Sequence, residues 1–148
     1  MVNILPLTKS YPLRTLAAGE TLIDAGEAGG ELYVLQSGRL SVIREGVEIA
    51  TISEPGALIG EMSVLLGVDH SATVRAVGEA ELRVIDNGIG FLEATPIVAL
   101  HVATIACQRL DATSALVVQL RKQGASPEPG FLERLFGAIT GAEIEARR

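Results

Sequence analysis

Short runs of alternating apolar and polar residues, separated by glycines, extend from Leu13 to about Asp86. The segments ELYVLQSG and RLSVIREG each predict one strand, and VEIATIS predicts a third after a turn at residues 45–46. The glycine in that turn predicts a hairpin. SATVRAV and AELRVID predict another strand pair around residues 78–79. Many short strands at regular spacing indicate a mainly β fold, a sandwich or barrel, rather than a parallel α/β sheet.

The pattern changes after Asp86, where one long helix is predicted. Thr95 supplies a hydroxyl that can cap a helix, and Pro96 suits the first helical position. No further glycine or proline occurs before Lys122, and Gly124 is typical of a helix end. The sequence therefore predicts a helix over residues 95–122.

Two apolar stripes run along this predicted helix. One is predicted to cover the β domain and comprises Val98, Val102, Ile105, Ala112 and Leu116. The other has the three-and-four spacing of a two-stranded helical seam and comprises Ala103, Ala106, Leu110, Thr113, Val117 and Leu120. Because two stripes exceed the need of one globular contact, we expect a homodimer through this helix. The alternative is a monomer in which the stripes form one wide buried face.

Residues 124–148 combine a Pro/Gly-rich linker with a predicted short amphipathic helix. The apolar side chains on one face of that helix are Phe131, Leu132, Leu135, Phe136 and Ile139. Since its polar face is not basic, a membrane-surface helix is disfavoured. We expect the apolar face to dock on its own domain, with a protein partner as the alternative.

Composition narrows the classes of function. The net charge of −6 and the 3% aromatic content disfavour a nucleic-acid surface. Two histidines and the single cysteine, Cys107, do not make a zinc site, and no nucleophile–base set is evident, so we expect no metal, no cofactor and no enzymatic activity. No apolar run reaches the ~18 residues of a membrane helix, and no signal peptide is evident. We therefore expect a cytoplasmic protein of one compact domain that does not contact a membrane.

Several segments together resemble the cyclic nucleotide-binding domain family, especially the sensor domains of bacterial catabolite-activator-type regulators. AGETLIDAGEAGGELYVLQSGRLSVI resembles the opening hairpins of the family, IGEMSVLLG its phosphate-binding cassette, and SATVRA the strand that follows. QRLDATSALV is similar to the long C-terminal helix. The resemblance implies a jelly-roll-like antiparallel β-roll with a short cassette helix and the long helix, over residues 13–123. Residues 1–12 then form an N-terminal segment.

The same resemblance implies a set of ligand contacts. Glu61 would accept a hydrogen bond from the ribose 2′-hydroxyl, Gly60 would allow close approach, and Ser71 would bind the cyclic phosphate. Thr113 and Ser114 would contact the base. The full implied set is Gly60, Glu61, Met62, His70, Ser71, Ala72, Thr113 and Ser114. The alternative from the residues alone is that Glu61 is a helix-start carboxylate, Ser71 an edge-strand serine, and the Thr-Ser pair a polar notch in the seam. We favour the ligand role for Glu61, because the Gly-Glu pair lies at the expected place within the full cassette.

His70 departs from the pattern of the family, which has an arginine at this position. A guanidinium offers a phosphate a fixed charge and a planar fork of donors, whereas a neutral imidazole offers one hydrogen bond. Losing a charge-assisted hydrogen bond costs roughly 1.5–3 kcal/mol, or about one to two orders of magnitude in affinity. Three outcomes follow from this substitution: weak cyclic-nucleotide binding, a different small-anion ligand, or no ligand.

Two functions therefore compete. The first is a stand-alone sensor that binds cAMP, cGMP or a similar small anion and signals through its C-terminal helices to a downstream protein. The second is a degenerate form of the same fold that acts as a protein-interaction module without nucleotide. We recognise no winged helix-turn-helix, kinase, channel or cyclase segment in the sequence.

Overall fold

The computed structural model describes residues 3–124. The predicted amphipathic helix within residues 124–148 lies outside the described residues. The chain divides into two units, the first ending at Ala103 and the second beginning at Thr104. The first unit holds all eight strands of the described chain, its two short α-helices and a 3-10 helix at Leu5–Thr8.

The eight strands form two antiparallel sheets of four. The strands are β1 (Leu13–Leu16), β2 (Thr21–Ile23), β3 (Leu32–Ser37), β4 (Leu40–Arg44), β5 (Val47–Ile52), β6 (Leu58–Ile59), β7 (Thr73–Ala76) and β8 (Ala80–Ile85). One sheet has the order β1-β8-β3-β6, and the other has the order β2-β7-β4-β5. The predicted antiparallel β-roll is confirmed.

Successive strands mostly alternate between the two sheets, and this alternation overturns one predicted hairpin. β7 pairs with β2 and β4, whereas β8 pairs with β1 and β3. The prediction that SATVRAV and AELRVID pair around residues 78–79 is therefore wrong. Both strands bury apolar side chains, and the chain between them crosses from one sheet to the other. The predicted β4–β5 hairpin is confirmed, with Glu45 (φ 52°) and Gly46 (φ 78°) in the left-handed region that a tight hairpin turn requires.

The sheet that contains β3 is covered on both faces. On one face, Tyr33 and Leu35 join the cluster between the two sheets, together with Leu40 and Leu82. On the other face, Leu32 and Val34 join a second cluster with Ile4, Ile85, Phe91, Leu92, Val98 and Val102. Because side chains alternate between faces, a strand buried on both sides is almost continuously apolar.

The helices are α1 (Glu61–Leu66), α2 (Gly88–Ala94) and α3 (Pro96–Lys122). The predicted long helix and its proline start are confirmed, and Gly124 has a φ of +82° just beyond its end. The sequence did not predict α2, because two of its residues are glycines, which are unfavourable within a helix. Its start is capped by Asn87, whose Oδ1 accepts a hydrogen bond from the Gly90 N–H at 3.0 Å.

The apolar stripe predicted to cover the β domain is buried only at its beginning. Val98 and Val102 are buried, whereas Ala112 is exposed and Leu116 is 53% exposed. The prediction is confirmed for Val98 and Val102, and it stays a prediction for the stripe residues in the second unit of the chain. With 27 residues, α3 is about 40 Å long. No single helix among the described residues is long and apolar enough to cross a bilayer. Within residues 3–124, only the pair α2 and α3, which meet at a 109° bend, reaches that length and apolar composition when taken together.

Candidate functional site

The short helix α1 begins at a glycine that no other residue could replace without strain. Gly60 has a φ of +92°, and a Cβ atom placed on it would lie 2.7 Å from the carbonyl oxygen of Glu31. α1 then ends at Gly67, whose N–H donates to the Ser63 carbonyl at 2.9 Å. The predicted cassette is thus a helix of fewer than two turns, held between two left-handed glycines.

Glu61 and Met62 are the first two residues of α1. Glu61 is half-buried, and its carboxylate is favourably placed in the first turn, where backbone N–H groups lack intrahelical acceptors. The Met62 side chain is 52% exposed. Of this pair, Glu61 is the more buried, and the ligand roles of both residues stay predictions.

His70 is fixed by both its backbone and its side chain. Its N–H donates to the Glu27 carbonyl at 2.9 Å, and its own carbonyl accepts from the Gly26 N–H at 2.8 Å. Its Nδ1 lies 2.9 Å from the hydroxyl oxygen of Ser63, which is 95% buried on α1. The Cε1 edge of the ring is 3.8 Å from where a Cβ of Gly60 would lie. The structure therefore brings His70 to the beginning of the cassette helix.

Ser71 and Ala72 connect His70 to β7. Ser71 is exposed and Ala72 is half-buried, and β7 starts at Thr73, two residues later than the predicted strand. The Thr73 hydroxyl accepts a hydrogen bond from the Ala25 N–H at 3.1 Å, which ties this connection to the loop after β2. Arg75 is exposed between the buried Val74 and Ala76 and lies on the solvated face of β7.

Comparison with known proteins decides the family. The family model described as "Cyclic nucleotide-binding domain" matches residues 13–89, just over half of the chain. This chain belongs to the cyclic nucleotide-binding domain family. The match covers every strand of the fold and the cassette, so the predicted resemblance is confirmed. A cyclic nucleotide-binding domain is a regulatory module and not a catalytic one.

Relatives of this cyclic nucleotide-binding domain include parts of much longer proteins. It is 33% identical over 79 residues to the cGMP-dependent protein kinase egl-4 of Caenorhabditis briggsae, which covers 53% of this chain and 10% of the kinase. It is 36% identical over 69 residues to an uncharacterized ABC transporter ATP-binding protein of Mycobacterium tuberculosis, covering 44% of this chain and 21% of that protein. The chain thus spans about a tenth to a fifth of these curated relatives.

Solved structures confirm the fold of the domain. The crystal structure of the Thermus thermophilus catabolite activator protein superposes with a TM-score of 0.69 and 27% sequence identity. The superposition covers 79% of this chain and 58% of that protein.

Thr113 and Ser114 lie on α3, in the second unit of the chain, and the other predicted ligand residues lie in the first. Thr113 is exposed and Ser114 is half-buried. The assignment of these two residues to the base stays a prediction.

Sequence reasoning missed the residues that pack around His70 in this cyclic nucleotide-binding domain. A Cβ atom on Gly29 would lie 2.3 Å from the Cβ of Ser63, so the loop before β3 lies directly against α1. A Cβ atom on Gly88 of α2 would likewise lie 2.8 Å from the Gly30 carbonyl oxygen and 2.8 Å from the Val64 side chain of α1. These glycines read as turn residues in the sequence, and only packing shows that they are needed for close approach.

Three acidic residues lie in the chain segments next to the cassette. Glu27 and Glu31 lie in the loop that contacts His70 and Gly60, and Asp69 immediately precedes His70. The Glu31 carboxylate accepts a hydrogen bond from the buried Tyr33 hydroxyl. Burial raises the pKa of Tyr33 well above its ordinary value, and the adjacent Glu31 raises it further.

A separate open cavity of about 600 Å³ lies between the N-terminal segment and α2. Tyr11 and Phe91 line it, with their rings edge to face at a centroid distance of 5.6 Å. None of the predicted ligand residues lines this cavity, which therefore belongs to a different part of the domain.

Proposed function

We propose that this domain binds a cyclic nucleotide, cAMP or cGMP, at the α1 cassette and regulates a downstream protein through its C-terminal segment. The observation that carries the proposal is the fixed position of His70 at the beginning of α1, the helix whose first residue is Glu61. This arrangement supports an anion site in which His70 would face the phosphate and the Glu61 carboxylate would face the sugar. The family and its Gly-Glu cassette supply the class of ligand.

Each cassette residue then has a role that its chemistry allows. Glu61, acceptor-only when ionised, would take the hydrogen bond of the ribose 2′-hydroxyl. Ser71 would donate its hydroxyl and His70 its ring N–H to the cyclic phosphate, while Gly60, Met62 and Ala72 would supply backbone or side-chain contact. Because the family's arginine is absent, we expect weaker binding than an arginine would give, by about one to two orders of magnitude.

A homodimer through α3 is part of the proposal. The seam residues Ala103, Ala106, Leu110, Thr113 and Leu120 are exposed in the single chain, and Val117 is half-buried. Leu110→Glu should dissociate the dimer, because it would bury two like charges at the seam. Val118→Glu introduces the same charge at an exposed apolar position outside the seam and should leave it intact. A wild-type protein that sediments as a monomer at micromolar concentration would contradict the dimer.

The acidic surroundings of the cassette favour a second candidate, a nucleotide-free interaction module. Glu27, Glu31 and Asp69 lie in the segments next to the cassette, where their charges would oppose an incoming phosphate, and a neutral imidazole lacks the fixed charge of the family's arginine. In this case the fold itself would present a surface to another protein.

Isothermal titration calorimetry of the whole chain with cAMP and with cGMP separates the two candidates. Saturable binding of either nucleotide that Glu61→Gln weakens would support the sensor, because the amide is a poorer acceptor for the sugar hydroxyl. 5′-AMP and 5′-GMP serve as the controls, since each carries the base of the corresponding cyclic nucleotide and a phosphate that does not close onto the sugar. A folded protein that binds neither cyclic nucleotide would reject the sensor in favour of the interaction module.

A further inference from the structure

The hydroxyl of Ser63 has one hydrogen-bond partner within residues 3–124, the Nδ1 atom of His70 at 2.9 Å. Ser63 is only 5% exposed, so its hydroxyl cannot readily replace this partner with water. A buried O–H that donates to nothing costs free energy, whereas a hydroxyl oxygen that accepts nothing costs less. The Ser63 hydroxyl therefore donates, and His70 Nδ1 accepts.

This direction determines the tautomer of His70. A neutral imidazole carries one proton, and when Nδ1 accepts a hydrogen bond the proton is on Nε2. Nε2 makes no hydrogen bond to the part of the chain that the structure describes, whereas the backbone N–H and carbonyl of His70 are both occupied. The ring therefore offers one N–H donor from a fixed position.

We infer that Ser63 is a positioning residue of the ligand site, which holds His70 as the Nε2–H tautomer with that N–H directed to the phosphate of a bound cyclic nucleotide. The inference rests on the proposed function for the identity of the ligand. Its structural half, the tautomer, does not depend on any ligand. The close packing of Ser63 against Gly29 restricts its rotation and keeps the hydroxyl on His70.

Long-range ¹H–¹⁵N correlation spectra of the ¹⁵N-labelled, ligand-free whole chain at about pH 8 report the tautomer directly. We expect His70 Nδ1 to resonate as an unprotonated acceptor and Nε2 as a protonated nitrogen. Ser63→Ala should convert this signature to a mixture of tautomers, while His101, the other histidine, stays unchanged. A protonated Nδ1 in the wild type would overturn the inference even if the alanine variant fails to fold.

Calorimetry with cAMP and cGMP tests the effect on the ligand. Ser63→Ala should weaken binding by about fivefold, the value of one ordinary hydrogen bond, while Ser53→Ala at an exposed serine should not change it. Unchanged affinity in a folded Ser63→Ala protein would overturn the positioning role. If the wild type binds no cyclic nucleotide, the proposed function fails instead, and the spectra alone decide whether Ser63 holds His70.

Discussion

Replacing His70 with arginine should restore the fixed positive charge of the family and tighten cyclic-nucleotide binding. The gain is at most the value of one charge-assisted hydrogen bond, roughly 1.5–3 kcal/mol. We therefore expect the dissociation constant to fall by about ten- to a hundredfold. The backbone of His70 is held by Gly26 and Glu27, so the new side chain starts from the same position.

The same substitution carries a cost in stability that the structure identifies. Arginine has no acceptor for the Ser63 hydroxyl, which would remain 95% buried and unpaired. His70→Arg should therefore lower the free energy of unfolding by about 1–3 kcal/mol. Adding Ser63→Ala removes the unpaired hydroxyl, so the double variant should recover part of that stability and keep the tighter binding. The two changes are expected to be non-additive because the residues are in contact.

Calorimetry measures the affinity, and urea denaturation followed by circular dichroism measures the stability. His101→Arg is the matched control, since it makes the same change at the chain's other histidine, and should not tighten binding. A folded His70→Arg protein with no gain in affinity for cAMP or cGMP would refute the reasoning. In that event, the acidic surroundings of the cassette would outweigh one added charge.

Three further outcomes test the packing. Gly29→Ala places a methyl group 2.3 Å from the Ser63 Cβ and should lower the free energy of unfolding by about 1–3 kcal/mol, measured by urea denaturation. Gly78→Ala is the control, because open space surrounds Gly78, and should leave stability unchanged. Equal stability of the two variants would contradict the close packing of Gly29. Ser41→Ala removes a buried hydroxyl that has no hydrogen-bond partner, so stability should stay unchanged or rise by about 1 kcal/mol. A clear loss of stability in urea denaturation would contradict this and indicate that the hydroxyl makes a hydrogen bond in solution. The pKa of Tyr33 is raised in the folded protein, so its stabilising effect is complete below about pH 10 and declines above it, by up to about 1.4 kcal/mol per pH unit. Tyr33→Phe should have a shallower alkaline loss of stability, and an identical pH profile would contradict this origin.

Local sequence signals were sufficient for much of the fold. The alternation of apolar and polar residues predicts strands because side chains alternate between faces, and the Gly46 turn predicts the β4–β5 hairpin because few residues adopt its left-handed backbone. Pro96 at the start of α3 and the absence of glycine up to Lys122 predict the long helix for equally local reasons. The family cassette around Gly60 was also evident from the sequence.

Only tertiary structure decided which elements meet. Alternation shows that a strand has a buried face but does not name its partner, so β7 and β8 were paired with each other when they belong to different sheets. Likewise, nothing in the sequence connects Ser63 with His70, because a serine in an apolar helix and a histidine in a loop have no periodic relation. Their hydrogen bond exists because Gly29 lets the loop before β3 lie directly against α1, while Gly26 and Glu27 fix the backbone of His70. Hydrogen bonds between distant segments depend on how the chain packs, and packing is a property of the whole fold.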